Sequence, residues 1–148
     1  MARYLITGAT GFIGGHVAER LAGDGHQLRC LVRETSSLDI LGPLGAELVY
    51  GSIIDRDVVK SAVEGMDVVI HLAGMTSALR YQQMLSVNRD GSWNVARACA
   101  SQARPPVLVL VSSIAAAGPV ARGEVRSELD RPSPISNYGI SKRAGEVA

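Results

Sequence analysis

Residues 3–14 read Arg3-Tyr4-Leu5-Ile6-Thr7-Gly8-Ala9-Thr10-Gly11-Phe12-Ile13-Gly14. Five residues of strand character run straight into three glycines, each separated by two residues, and a helical pattern follows. That strand-to-helix setting is what gives a glycine pattern meaning. Gly8 permits a tight turn, Gly11 lets the backbone approach a pyrophosphate, and Gly14 lets the helix pack close to the strand. The free N–H groups and the positive dipole end of the helix then face the phosphates. The stretch therefore points to dinucleotide binding, with Gly8, Thr10, Gly11, Phe12, Ile13 and Gly14 as candidate cofactor-binding residues.

Outward from this loop, short apolar runs alternate with helical periodicity, the pattern of βαβ units. Candidate strands are Arg3 to Thr7, Gln27 to Val32, Ala46 to Tyr50, Asp67 to Leu72 and Val107 to Ser112. They are near-continuous in Val, Ile and Leu, as parallel strands covered on both faces are. Ile13, Val17 and Leu21 form the apolar stripe of a first helix, and a longer helix is expected from about Leu79 to Gln102. Five of the six prolines follow residue 104, so a long loop is expected between the fifth strand and a final helix. The expected fold is a doubly wound α/β domain with five parallel strands in the order 3-2-1-4-5 and right-handed crossovers.

Composition bounds the rest. The chain has 148 residues, 47% of them apolar, which suits one domain over 1–148. With 15 basic and 14 acidic residues its net charge is +1, so charge gives no reason to expect nucleic acid or an anionic membrane as partner. No apolar run is long enough to span a bilayer, and a cytoplasmic location is expected. Cys30 and Cys99 have no His/Cys cluster around them and read as small buried hydrophobes, with no metal site. His16, His71 and Trp93 likewise stand without a constellation and read as structural. The chain stops at Ala148 inside helical sequence without a C-cap, so it is expected to be an incomplete dinucleotide-binding domain, truncated before a substrate domain.

Further motifs carry a resemblance. Asp67-Val-Val-Ile-His-Leu-Ala-Gly74, Val87-Asn88-Arg89-Asp90-Gly91-Ser92-Trp93-Asn94, Val111-Ser112-Ser113 and Tyr138-Gly-Ile-Ser-Lys142 join the glycine loop. Together they resemble the short-chain dehydrogenase/reductase superfamily, whose extended branch carries TGxxGxxG at the N-terminus, and the likeness covers the whole chain. The wide interval from Ser113 to Tyr138 favours that extended branch.

The resemblance implies hydride transfer between nicotinamide and a carbonyl or alcohol in a small-molecule substrate. A homo-oligomer is expected because Val107 to Ser112 would be left as an uncovered apolar edge, a template for pairing with another chain. Such hydride transfer needs a proton to reach or leave the oxygen. A free tyrosine titrates near 10, so Tyr138 needs a cation, and Lys142 lies one helical turn away on the same face. Tyr138 is therefore assigned as general acid/base, and Lys142 as its partner and a donor to the nicotinamide ribose. Ser113 would hold the substrate oxygen, with Ser112 as runner-up because a one-residue slip at a strand end reverses the side chain. Asn88 falls on the helical series Met84, Asn88, Gly91, Val95, facing the sheet, and the resemblance makes it a link in a proton relay to the lysine; a plain buried amide is the alternative. Leu72, Ala73 and Gly74 are expected to line the cofactor.

Three departures from the family pattern bear on specificity. Where NAD-dependent members have an Asp at the end of the second strand, this chain has Val32 and then Arg33. A guanidinium pairs with a 2′-phosphate that a carboxylate repels, so NADP is expected over NAD, unless Arg33 is a solvated loop residue. After the third strand Gly51 is followed by Ser52 and Ile53 rather than Asp, leaving a weaker adenine contact. Ala116-Ala117-Gly118 lacks the aromatic common in the epimerases. The expected function is an NAD(P)-dependent oxidoreductase. Alternatives are an NAD-retaining sugar-nucleotide epimerase or dehydratase, and a non-catalytic cofactor-binding fragment.

Overall fold

Where Val, Ile and Leu run together the chain forms strands, in a computed structural model that describes residues 1–148. Strands β1 (Arg3–Thr7), β2 (Gln27–Val32), β3 (Glu47–Tyr50), β4 (Val68–His71) and β5 (Val107–Leu110) make one sheet in the order β3-β2-β1-β4-β5. Every pairing is parallel, with Thr7 opposite both Leu31 and His71. Helix α1 (Phe12–Gly23) covers one face, over Ile6, Leu28, Cys30 and Val32. Helices α2 (Arg56–Val63) and α4 (Ser92–Ala100) cover the other, over Leu5, Leu31 and Val69. Fold class and strand order are as the sequence implies. Both cysteines are buried and free, and burial pushes each thiol up to about 11. No helix is long and apolar enough to cross a membrane.

Several boundaries differ from expectation, each for a physical reason. The last three strands are shorter than their apolar runs. In particular β5 stops at Leu110, so Ser113 is not at a strand end but caps the short helix α5 (Ile114–Ala117). Ile13 is exposed, because the face of α1 toward the sheet is made of the small residues Gly14, Gly15 and Ala18, with Val17 and Leu21 on its flank. Helix α2, not anticipated from apolar spacing, starts at Asp55, whose carboxylate accepts from the amides of Asp57 and Val58 at 3.1 and 3.2 Å. The long helix expected from Leu79 to Gln102 runs from Tyr81 to Ala100 and is not uniform. It comprises α3 (Tyr81–Leu85), a π-helical segment over Ser86–Gly91, and α4. After α5 the chain has no further helix until α6 (Asn137–Val147), as the proline distribution implies. On β5, Val107 and Val109 are exposed because α1 does not extend over them, so this strand is covered on one face only.

Candidate functional site

The sheet's carboxyl edge opens into a cavity of about 490 Å³ between the glycine loop, the ends of β2 and β3, and the turn after β4. Crevices at this edge, where strand order reverses, are where open α/β sheets bind ligands. Gly8 has φ +76°, and a Cβ there would sit 2.7 Å from the Ala73 nitrogen. The glycine loop and the turn at 72–75 are thus in direct backbone contact. Gly14 does the corresponding work beneath: its Cβ would overlap the Gly8 carbonyl oxygen and lie 2.8 Å from Ala9 Cα. Helix α1 therefore begins against the loop, with Gly11 as its N-cap and no side chain capping the first turn. The first-turn amides have no intrahelical acceptor and point toward the cavity end.

Gly8, Thr10, Gly11, Arg33, Ser52, Ile53, Leu72, Ala73 and Gly74 all line this cavity. Phe12, Ile13, Gly14, Tyr138 and Lys142 do not; Phe12 and Ile13 are exposed and Gly14 is packed underneath. Ser36, Met75, Thr76, Ser77 and Val87 line it as well, without a motif in the sequence to single them out. Arg33 is the sole charged residue in the lining.

Lys142 stands beside this wall: its Nζ would be 3.8 Å from a Cβ on Gly74, and it donates to the Val111 carbonyl at 2.8 Å. It is buried, which pushes the ammonium below its usual range, partly offset by Glu146. The two serines are distinguished by their partners. Ser112 donates its proton to the Glu146 carboxylate. Ser113 Oγ accepts from the Ala115 amide at 3.2 Å and so keeps its hydroxyl proton for another acceptor. Helix α5, which Ser113 caps, packs against α6 where Gly139 meets the Ala115 carbonyl, one residue from Tyr138.

Asn88 is fully buried in the π-helical segment. Its Oδ1 accepts from the Met75 amide at 2.7 Å, and its Nδ2 donates to the Met75 carbonyl at 2.9 Å and to Ser141 Oγ at 2.8 Å. Ser141 in turn donates to the Tyr138 carbonyl at 2.7 Å. Asn88 thus ties the turn after β4 to α6 through Ser141, the residue before Lys142, and makes no hydrogen bond to the ammonium itself. His71 is likewise not isolated: it lies buried between Thr7 and Ser92, hydrogen-bonded to both.

A family model described as NAD dependent epimerase/dehydratase matches residues 4–148. The chain belongs to that family. Among curated proteins it is 38% identical over 145 residues to a ceramide reductase of Caulobacter vibrioides, covering 97% of this chain and 40% of that protein. Among solved structures, uronate dehydrogenase of Agrobacterium tumefaciens superposes with a TM-score of 0.84 at 33% identity, over 99% of this chain and 54% of that one. The Bordetella bronchiseptica enzyme WbmG, solved with NAD and UDP, gives 0.83 at 28% identity, over 99% and 48%. The epimerase/dehydratase-family chain thus spans about half or less of the relatives it matches.

Proposed function

We propose that residues 1–148 are the dinucleotide-binding part of an NAD(P)-dependent oxidoreductase of the extended short-chain dehydrogenase/reductase type, acting on a carbonyl or alcohol. The observation that carries this reading is a buried lysine ammonium beside the wall of the cavity, one helical turn from Tyr138. Burial of an ammonium is costly and is held here by a single carbonyl, so the geometry suits a cation kept for a partner. The glycine loop fits a pyrophosphate because no side chain caps the first turn of α1, whose amides have no intrahelical acceptor. When bound, the nicotinamide supplies the hydride acceptor or donor.

In this reading Tyr138 exchanges the proton of the substrate oxygen, and Lys142 holds the phenolate form available while donating to the ribose. Ser113 orients the substrate oxygen with its own uncommitted hydroxyl proton, whereas the Ser112 proton goes to Glu146. Asn88 fixes α6 relative to the turn that borders the nicotinamide end.

NADP is the proposed cofactor. Arg33 is exposed beyond buried Val32, and no carboxylate lines the cavity to repel a 2′-phosphate. The test is to measure Kd for NADP and NAD with the unmodified chain and with Arg33→Ala. The expected outcome is tighter NADP binding that the substitution abolishes, by roughly tenfold for one lost charge-assisted pair. Equal NADP and NAD affinities in both proteins would remove Arg33 from the reading. The family description also fits an enzyme that keeps NAD bound through its cycle; co-purification of stoichiometric NAD would favour that alternative.

A further inference from the structure

Five polar groups form an unbroken chain through the interior beneath the cavity. The Ala73 amide donates to Thr7 Oγ1 (3.2 Å), Thr7 Oγ1 meets His71 Nδ1 (2.6 Å), and His71 Nε2 meets Ser92 Oγ (3.2 Å). Ser92 Oγ then donates to the Asn88 carbonyl (2.8 Å). Thr7, His71 and Asn88 are at most 1% exposed and Ser92 is 5% exposed.

The ends fix the polarity. A carbonyl only accepts, so the Ser92 hydroxyl proton belongs to Asn88, and Ser92 Oγ must accept from His71 Nε2–H. His71 Nδ1 is then unprotonated and accepts from the Thr7 hydroxyl. Only a neutral imidazole in the Nε2–H form satisfies every group at once. Burial, with a smaller contribution from the Lys142 charge, pushes His71 down to about 4, which keeps it in that form near neutral pH.

Each end of the chain touches a different part of the site. At one end Thr7 precedes Gly8, and both contact Ala73, so the chain begins where the glycine loop meets the turn after β4. At the other, the Asn88 carbonyl lies against Gly145 of α6 so closely that a Cβ there would overlap it. The chain therefore crosses from the phosphate-binding side to the helix that carries Tyr138 and Lys142.

We propose that His71 is a positioning residue: its imidazole is the strut that sets the distance between the glycine loop with its neighbouring turn and the Asn88–α6 unit, and cofactor affinity depends on it. This rests on the dinucleotide reading above. The site is shaped by backbone contacts with no slack, so loss of the strut shifts the amides that would hold the cofactor.

The experiment is NADP and NAD binding by calorimetry to the unmodified chain, His71→Phe, His71→Gln, Ser92→Ala and the double variant His71→Phe/Ser92→Ala, with circular dichroism as the folding check. Phe fills the space but keeps neither ring nitrogen, whereas the Gln amide retains one acceptor and one donor. The expected result is a Kd raised about tenfold or more in His71→Phe, the loss for a broken buried pair. His71→Gln should recover most of it, and Ser92→Ala should weaken binding alone yet add little in the double variant. A residue that merely fills the core would lower the melting temperature of His71→Phe and leave Kd unchanged; that outcome overturns the proposal. If His71→Phe does not fold, Ser92→Ala decides: unchanged affinity refutes the strut. If the unmodified chain binds neither dinucleotide, the cofactor reading falls and the strut with it; if it binds and the variants bind equally, only the strut falls.

Discussion

Two glycines on the same helix, Gly14 and Gly23, should respond oppositely to alanine. Both substitutions gain helix propensity, up to about 1 kcal/mol in a helix interior and less near an end. At Gly23 an added Cβ meets nothing within 4 Å, so that gain is unopposed. At Gly14 the Cβ overlaps the Gly8 carbonyl oxygen and lies 2.8 Å from Ala9 Cα, both rigid backbone. Overpacking of this kind costs about 1–3 kcal/mol, toward the upper end where no side chain can turn away. The net for Gly14→Ala is then a loss of about 1–2 kcal/mol, a melting temperature lower by roughly 2–8 °C at this chain length. Relief comes by lifting the start of α1 off the loop, which withdraws its amides from the phosphates, so NADP affinity should fall about tenfold or more. Thermal melts and calorimetric titration of the two variants check both halves. If Gly14→Ala melts higher than the unmodified chain and binds NADP as well, α1 is not seated against the loop and the site geometry is wrong.

Other expectations concern the polar interior and the reacting groups. His71 has a folded value of about 4 against 6.5 when unfolded, so between those values the unfolded chain binds more protons. Its contribution to stability is therefore constant above about pH 6.5 and falls as pH drops to about 4, by about 3 kcal/mol in all. Denaturant midpoints across that window should be less pH-dependent in His71→Gln; identical slopes would show that His71 titrates normally. Asn88→Ala leaves the Met75 amide and carbonyl and the Ser141 hydroxyl short of partners, and should destabilise by about 2–4 kcal/mol in urea unfolding; a loss below 1 kcal/mol would mean water replaces the amide readily. In an enzyme carrying this chain, Tyr138→Phe should lower kcat by roughly 10² to 10⁴ with cofactor affinity within a few-fold. Near-normal turnover would remove Tyr138 from the chemistry.

The sheet is legible because strands of a parallel sheet flanked by helices are largely apolar, and β1 to β5 are, including β5, which is covered on one face only. Strand ends are less so: β5 ends at Leu110, although the apolar run continues to Val111, whose amide still donates to the His71 carbonyl at 3.0 Å. The sequence favours Ser113 over Ser112 only through the resemblance; what distinguishes them in the structure is a distant partner for Ser112, Glu146 on α6, and a local one for Ser113, the Ala115 amide. Ile13 misled because a stripe of large residues is the usual mark of a buried face, whereas α1 sits too close to the loop for anything but Gly and Ala to face inward. The π-helical turn over Ser86–Gly91 has no sequence mark of its own, yet the series Met84, Asn88, Gly91, Val95 does face inward. His71 was opaque for a different reason. Its partners Thr7 and Ser92 lie on other elements, and only the register that sets Thr7 opposite His71 brings the first of them close.

Amide chemical-shift mapping of NADP titrated into the ¹⁵N-labelled chain tests the central assignment most directly. Saturable shifts are expected in the glycine loop and first turn of α1 at residues 8–14, at Arg33 and its neighbours, at residues 51–53, in the turn at 72–77, and around Lys142 on α6. The Arg33 region should move much less with NAD. Saturable shifts centred elsewhere, on the far face formed by α2 and α4 for example, with residues 8–14 unmoved, would contradict it.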